Sequence, residues 1–418
     1  MRVVIVLGAL AAVLVRAVTG EPGLGWYLAS WALFCAALWL TRKRADPRLI
    51  IGGGIILASI GLLAPPSTST DSFRYAWDGR VQAAGISPYD HAPAARELVP
   101  LRDAWLFPGE CAEDDLWPLP EGGCTRINRP TVPTIYPPVA QGYFLLVEWL
   151  SPDGSRHKAL QLGGWAMAVA VLLLLARRDL RASACWAWCP AVPVEAVNNA
   201  HVDMLAVLLV VLALSVRRGR GALLGAAVAV KLLPAAVLPG AMGRTKVLTV
   251  LAPAVLVMTA AYLPYVLLSD ASVIGYLPGY LSEESYRDPG GGNRYALLRW
   301  VLPDSWAPFA AAGLLILIAA YVVLRGDPER PWQGALLVSG SMLLLFTPGY
   351  SWYALLVVAL AAMDGRWEWL GVALAGAVAY IAGPVSPTSP ATVFYAAAAL
   401  AVLIGWAARR QQRIGAIR

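Results

Sequence analysis

Charge is what this sequence has least of. Only 14% of its 418 residues are Asp, Glu, Lys or Arg, against roughly a quarter in an average soluble domain, which excludes an ordinary water-soluble globule. Histidine is scarcer still, with three in the chain. One His among scattered acids gives no ligand spacing for a metal, so neither a metal nor another cofactor is expected. The one glycine tract, in GYLSEESYRDPGGGNRYALLRWVLP, lacks the strand-to-helix context of a phosphate-binding loop, which leaves P-loop and Rossmann sites out. Nor is there a visible internal repeat of the kind that builds a transporter from two halves.

What the sequence does have is apolar length. Hydrophobic residues make up 58% of it, and runs of about 15 to 22 residues recur from end to end, each close to the roughly 20 residues that cross a bilayer as a helix. Lipid cannot satisfy backbone polar groups, so the spanning elements are expected to be helices. The fold class expected is all-α, a single polytopic membrane domain of about 12–14 spans. The run from Val3 to Val18 has a basic start but no convincing cleavage site, and reads as the first span. The stretch 220–241, broken by Lys231, Pro234 and Pro239, reads as a re-entrant or kinked hairpin.

The net charge of +7 follows from topology and does not call for nucleic acid. Arg42-Lys43-Arg44, Arg177-Arg178, Arg217-Arg218-Arg220 and Arg409-Arg410 sit in short loops or at the end, where the positive-inside rule assigns them to the cytoplasm. A multi-pass protein of the cell membrane results, with the loop 65–137 and a second loop, 269–305, on the exoplasmic side. A structureless loop of roughly 70 residues would be unusual, so 65–137 should carry short helices and a function. The segment 138–150, aromatic and apolar with a few polar residues, reads as a helix lying in the interface, because a crossing there would put Arg177-Arg178 outside. Cys111 and Cys124 lie in the outer loop, where an oxidising compartment permits a disulfide, though each is also compatible with a free small residue. Cys35, Cys185 and Cys189 fall in apolar spans and read as packing residues.

Against this background the polar residues stand out. Asp71 is the first carboxylate after the third span, and Asp78 follows seven residues on, two helical turns away and so on the same face. A carboxylate at the boundary between lipid and water can take a proton from a hydroxyl whose partner substrate is lipid-linked; the plainer alternative is a helix cap and a solvated acid. In NNAHVD, His201 and Asp203 are ionisable at membrane depth, suited to positioning a sugar hydroxyl or relaying a proton, with a cap by Asn198 and Asn199 as the structural alternative. Lys231, inside AAVAVKLLPAAVLP, must either snorkel or meet an anion such as a lipid-linked phosphate. Arg287, Arg294 and Arg299 in the second loop suit phosphate through paired hydrogen bonds, or else contact headgroups.

The order of these elements resembles the GT-C superfamily of membrane glycosyltransferases, in particular actinobacterial-type enzymes that take mannose from a polyprenyl phosphate. Those proteins begin their first large outer loop with a catalytic acid, continue with a G-x-x-P-Y turn, and reach an interfacial helix through Y-P-P. Asp71, Gly85 to Tyr89, and Tyr136-Pro137-Pro138 match in that order, Lys231-Leu-Leu-Pro234 is similar to the K-x-x-P element, and Trp352-Tyr353 heads a late span. Two spans precede the usual first one, and Asp71 and Asp78 are separated instead of adjacent, so both remain candidates for the base. The resemblance implies inverting transfer of a sugar, mannose first among candidates, from a polyprenyl-phosphate donor to a glycolipid or glycan acceptor outside the membrane. Arg74, Tyr89, Tyr136, Trp352 and Tyr353 join His201, Asp203, Lys231 and the loop arginines as substrate-binding candidates. A transporter or flippase of lipid-linked sugars, or an enzyme using another polyprenyl-linked sugar such as arabinose, are the competing functions.

Overall fold

The computed structural model describes residues 1–20, 23–43, 45–112, 115–243, 247–284, 294–383 and 385–415. Two long helices, α1 (Arg2–Thr19) and α2 (Leu24–Thr41), pack on each other. In α1 the buried residues Leu7, Leu10, Leu14 and Val18 recur every three or four positions and form one inward stripe, while Val4 and Ile5 stay exposed on the face left for lipid. The third apolar run folds as α3, Arg48–Ile60, whose first turn is π-helical. The segment 65–137 then supplies α4 (Asp71–Ala83), a two-residue antiparallel ladder between Trp117–Pro118 and Cys124–Thr125, and a small core of Trp77, Val81, Leu98, Leu106 and Ile127. Cys111 and Cys124 are bridged. The loop therefore holds short elements as expected.

Segment 138–150 is a helix, α5 (Pro138–Leu150), packed along α4. Gly79 makes this possible, because a Cβ there would stand 2.5 Å from the Phe144 carbonyl oxygen. After it come α6 (Lys158–Arg178), α7 (Leu180–Ala187), a π-helical segment Val192–Asn198 and α8 (Asp203–Ser215). The last two meet at 111°, and the corner contains Ala200 at φ +52°, a left-handed conformation that non-glycine residues rarely adopt. Gly164 of α6 lies where a Cβ would be 2.1 Å from the Ala196 carbonyl oxygen, so the π-helical segment rests directly on the α6 backbone.

The broken stretch at 220–241 becomes α9 (Arg220–Val228), a 3-10 turn at Leu233–Val237 and the short α10 (Leu238–Met242), with Lys231 in the gap. The remaining helices are α11 (Val247–Leu268), α12 (Leu277–Glu283), α13 (Ala307–Arg325), α14 (Pro331–Phe346), α15 (Leu355–Asp364), α16 (Leu370–Ala382) and α17 (Pro390–Gly415). All nine residues from Leu355 to Met363 are buried, which makes α15 the central helix.

The chain is an all-α polytopic membrane protein, and its apolar runs, expected as about 12–14 spans, fold as helices of two lengths. Among the described residues six helices are long and apolar enough to cross a membrane, or seven if the bent pair at 192–215 is one span. The other apolar stretches fold as helices of 10–17 residues, such as Arg48–Ile60 and Pro331–Phe346. The reason is local: the polar-and-proline breaks around Pro65, Asn198 and Pro348 cut hydropathic runs into shorter rods.

Candidate active site

A cavity of about 1150 Å³ opens where the outer loop meets the helices. Its wall combines the start of α4, the segment 128–137, Lys231, Tyr262 of α11, α12 and the stretch from Met342 to Tyr353. Its lining is mixed, with polar residues such as Asp71, Asn128, Arg129 and Lys231 and apolar ones such as Leu277, Leu281, Met342, Leu343 and Phe346. A ligand that carries both charge and apolar chain finds partners for each in such a lining.

The two candidate acids are separated by this wall. Asp71, in the first turn of α4, lines the cavity with its side chain 18% exposed. Asn128 Nδ2 donates to its Oδ1 at 3.0 Å and holds Thr70 Oγ1 at the same distance, and the Asp71 backbone N–H donates to Ser69 Oγ. Asp78 lies 1% exposed behind the wall. Arg74 Nε meets its Oδ1 at 2.9 Å, while Thr134 Oγ1 at 2.6 Å and Gln141 Nε2 at 3.0 Å both donate to its Oδ2. The two acids share a helix face as the spacing predicts, but they are covered differently: Asp78, two turns on, is saturated by its donors in the contact between α4 and α5 and is not among the residues lining the cavity.

The cations sort likewise. Lys231 reaches the cavity from the gap after α9, pairs with Asp203 at 2.6 Å and lies 4.9 Å over the Tyr353 ring. Arg74 lines the cavity as well, donating from Nη1 to the Val132 carbonyl while Nη2 is buried without a partner. Arg294 is turned to Glu284, with Nη2 at 2.7 Å from its carboxylate, and Arg299 makes a two-point pair with Asp304 at 2.8 Å. Neither is among the residues lining the cavity, because each has a carboxylate within its own loop. Arg287 lies outside the described residues.

Among the aromatic candidates, Tyr136, Trp352 and Tyr353 line the cavity. Tyr89 does not: it is buried, and its hydroxyl donates to the Tyr136 carbonyl at 2.7 Å, so it braces the wall from behind. His201 is also behind the wall, its ring stacked on Trp352 at 3.9 Å between centroids. Nδ1 stands 3.7 Å from Asp71 Oδ2 and Nε2 stands 3.4 Å from Glu195 Oε2. Both nitrogens are buried and neither completes a hydrogen bond. The cap expected of Asn198 and Asn199 takes another form. Asn198 donates to the carbonyls of Gly61, Ala64 and Pro65, and Asn199 to Thr68 Oγ1 and Glu195, so the pair fastens the entry of the outer loop.

Two functional candidates escape a reading of the sequence. Arg129 lines the cavity at φ +48°, paired with Glu283 at 2.8 Å and near Glu284 at 3.7 Å. Burial works to raise the Glu283 carboxyl, but the Tyr276 hydroxyl and Arg129 outweigh it and hold it below the usual carboxylate range. Glu195, inside the apolar AVPVEAV, is 2% exposed. The rule that picked out Lys231, an ionisable group at membrane depth, applies equally to it.

Compared with known proteins, residues 134–348 match the sequence model of glycosyltransferase family 87. The match includes Tyr136, His201, Asp203 and Lys231, and begins after Asp71. No curated protein and no solved structure matches the chain.

Proposed function

The chain belongs to glycosyltransferase family 87, and from that premise we propose that it is an inverting enzyme of GT-C type that moves a sugar, mannose first among candidates, from polyprenyl phosphate to an envelope glycolipid or glycan on the outer side of the membrane. The observation that carries this reading is Asp71, a carboxylate that lines a cavity bounded by both polar and apolar residues. In the reaction Asp71 accepts the proton of the acceptor hydroxyl, whose oxygen attacks C1 of the sugar from the face opposite the phosphate. The C1–O bond breaks and its electron pair leaves with the polyprenyl phosphate. Among the described residues, Lys231, Arg74 and Arg129 are the cations that line the cavity and can receive that charge. Holding donor and acceptor together in one cavity contributes much of the acceleration by positioning.

Two observations support an exoplasmic site. The basic clusters lie in the short loops that the positive-inside rule assigns to the cytoplasm, and the outer loop carries a bridged cysteine pair, which an oxidising compartment favours. The test is direct. Purified protein is incubated with radiolabelled polyprenyl-phosphate mannose and an envelope glycolipid extract; label is expected in the glycolipid fraction. Transfer from polyprenyl-phosphate arabinose alone would change the sugar and keep the enzyme. Donor carried unchanged across a vesicle membrane, with no transfer from either lipid, would replace the enzyme with a flippase.

A further inference from the structure

His201 is a buried imidazole with two orphan nitrogens, each facing a carboxylate. Buried polar atoms without partners are rare and call for a reason. Glu195, on the far side of the ring, is itself held hard: Ser351 Oγ donates to Oε1 at 2.6 Å and Asn199 Nδ2 to Oε2 at 3.0 Å. The ring is fixed from its face by Trp352. A rigid imidazole between Asp71 and a second anchored carboxylate is more than packing requires.

We propose that His201 is the proton store behind Asp71 and that Glu195 is the positioning residue that lets it act as one. The proposal rests on Asp71 being the base. With its own proton on Nε2, toward Glu195, the neutral ring presents the Nδ1 lone pair to Asp71. When the acceptor O–H bond breaks, the proton passes to Asp71 and on to Nδ1, while the acceptor oxygen bonds to C1 and the phosphate leaves with the old bond's electrons. The imidazolium then lies between two carboxylates and can donate to both, which satisfies the two nitrogens left orphaned here. Asp71 is returned to its ionised form, and the proton leaves by the same path once product departs. Closing the 3.7 Å separation is the change expected when substrate tightens a loose resting geometry.

The other charged and titratable groups around the ring are occupied elsewhere. Lys231, 5.9 Å above the Trp352 ring, pairs with Asp203, and the Tyr380 hydroxyl donates to the Thr68 carbonyl. Among the described residues, Asp71 and Glu195 are the two carboxylates that stand within 4 Å of the ring nitrogens.

The experiment is a kcat–pH profile of the full-length purified enzyme with radiolabelled polyprenyl-phosphate mannose and the glycolipid extract. Glu195→Gln keeps the shape and removes the charge. It is expected to lower kcat roughly tenfold or more, leave both KM values unchanged, and move the acid limb about one pH unit lower, because the imidazolium loses one of its two counter-charges. Glu195→Asp should restore the limb. Ser351→Ala, which loosens Glu195 without discharging it, should move the limb less and in the same direction, and serves if Glu195→Gln does not fold. A merely structural His201 predicts a uniform loss with an unmoved limb, and that result overturns the proposal. Asp71→Asn is run alongside: if it is inactive while Glu195→Gln keeps the wild-type profile, only the relay falls; if it is active, the reading of Asp71 falls first.

Discussion

At the scale of single residues, environment separates side chains that composition treats alike. Asp71 and Asp78 share one helix, yet among the described residues three donors saturate Asp78 and Asn128 alone hydrogen-bonds the Asp71 side chain. Asp78→Asn should therefore act on stability: it leaves the Arg74 charge buried and unpaired, at a cost of about 3–5 kcal/mol, read as a lowered thermal midpoint in detergent. Lys231→Met should weaken donor binding tenfold or more, because the phosphate charge exists before the bond breaks. Adding Asp203→Asn to it should leave that loss in place while recovering the stability cost of an unpaired Asp203. Glu283→Gln should do the opposite to the donor, tightening it by up to about fivefold, or ~1 kcal/mol, because Arg129 is released from its partner. Equilibrium binding of a labelled polyprenyl phosphate checks both. Lys231 and His201 stand out in the sequence because they interrupt apolar runs. The separation of the two acids was not legible there, since helical spacing says which residues share a face and nothing about which neighbour covers it.

At the scale of elements, hydropathy located nearly every helix, including the break at Lys231 and the short helix at 138–150, because apolar length and proline are local signals. It did not foresee helix length, because an apolar run does not reveal whether it continues as one long helix or packs as a shorter one against its neighbours; α15 is buried on every side and is ten residues long. Close approach was equally hidden. Gly164 meets the backbone of the π-helical segment, so Gly164→Ala should force the two apart and displace the corner that carries His201. A loss of activity exceeding the loss of folded protein, measured by monodisperse yield against turnover, is the expected sign. The bridge between Cys111 and Cys124 closes a short loop on the ladder side of the outer segment. Replacing both with serine should cost that segment about 2–3 kcal/mol, read as easier proteolysis, and leave transfer intact.

At the scale of the whole molecule, polar outer loop and apolar helices meet in one cavity, and the position of that cavity relative to the membrane decides the function. With Cys35 changed to serine, a cysteine placed at Ser155 should react with an impermeant thiol reagent in intact cells; reaction only after lysis would reverse the topology and with it the access of an exoplasmic acceptor. The central claim is that Asp71 supplies the chemistry of transfer in that cavity. Asn at this position keeps the size and the contact with Asn128 but cannot take a proton. The measurement is single-turnover transfer by Asp71→Asn at saturating polyprenyl-phosphate mannose, alongside its donor affinity. Transfer slower by roughly 10²-fold or more, with donor affinity unchanged, is the predicted result; near-normal transfer would contradict it.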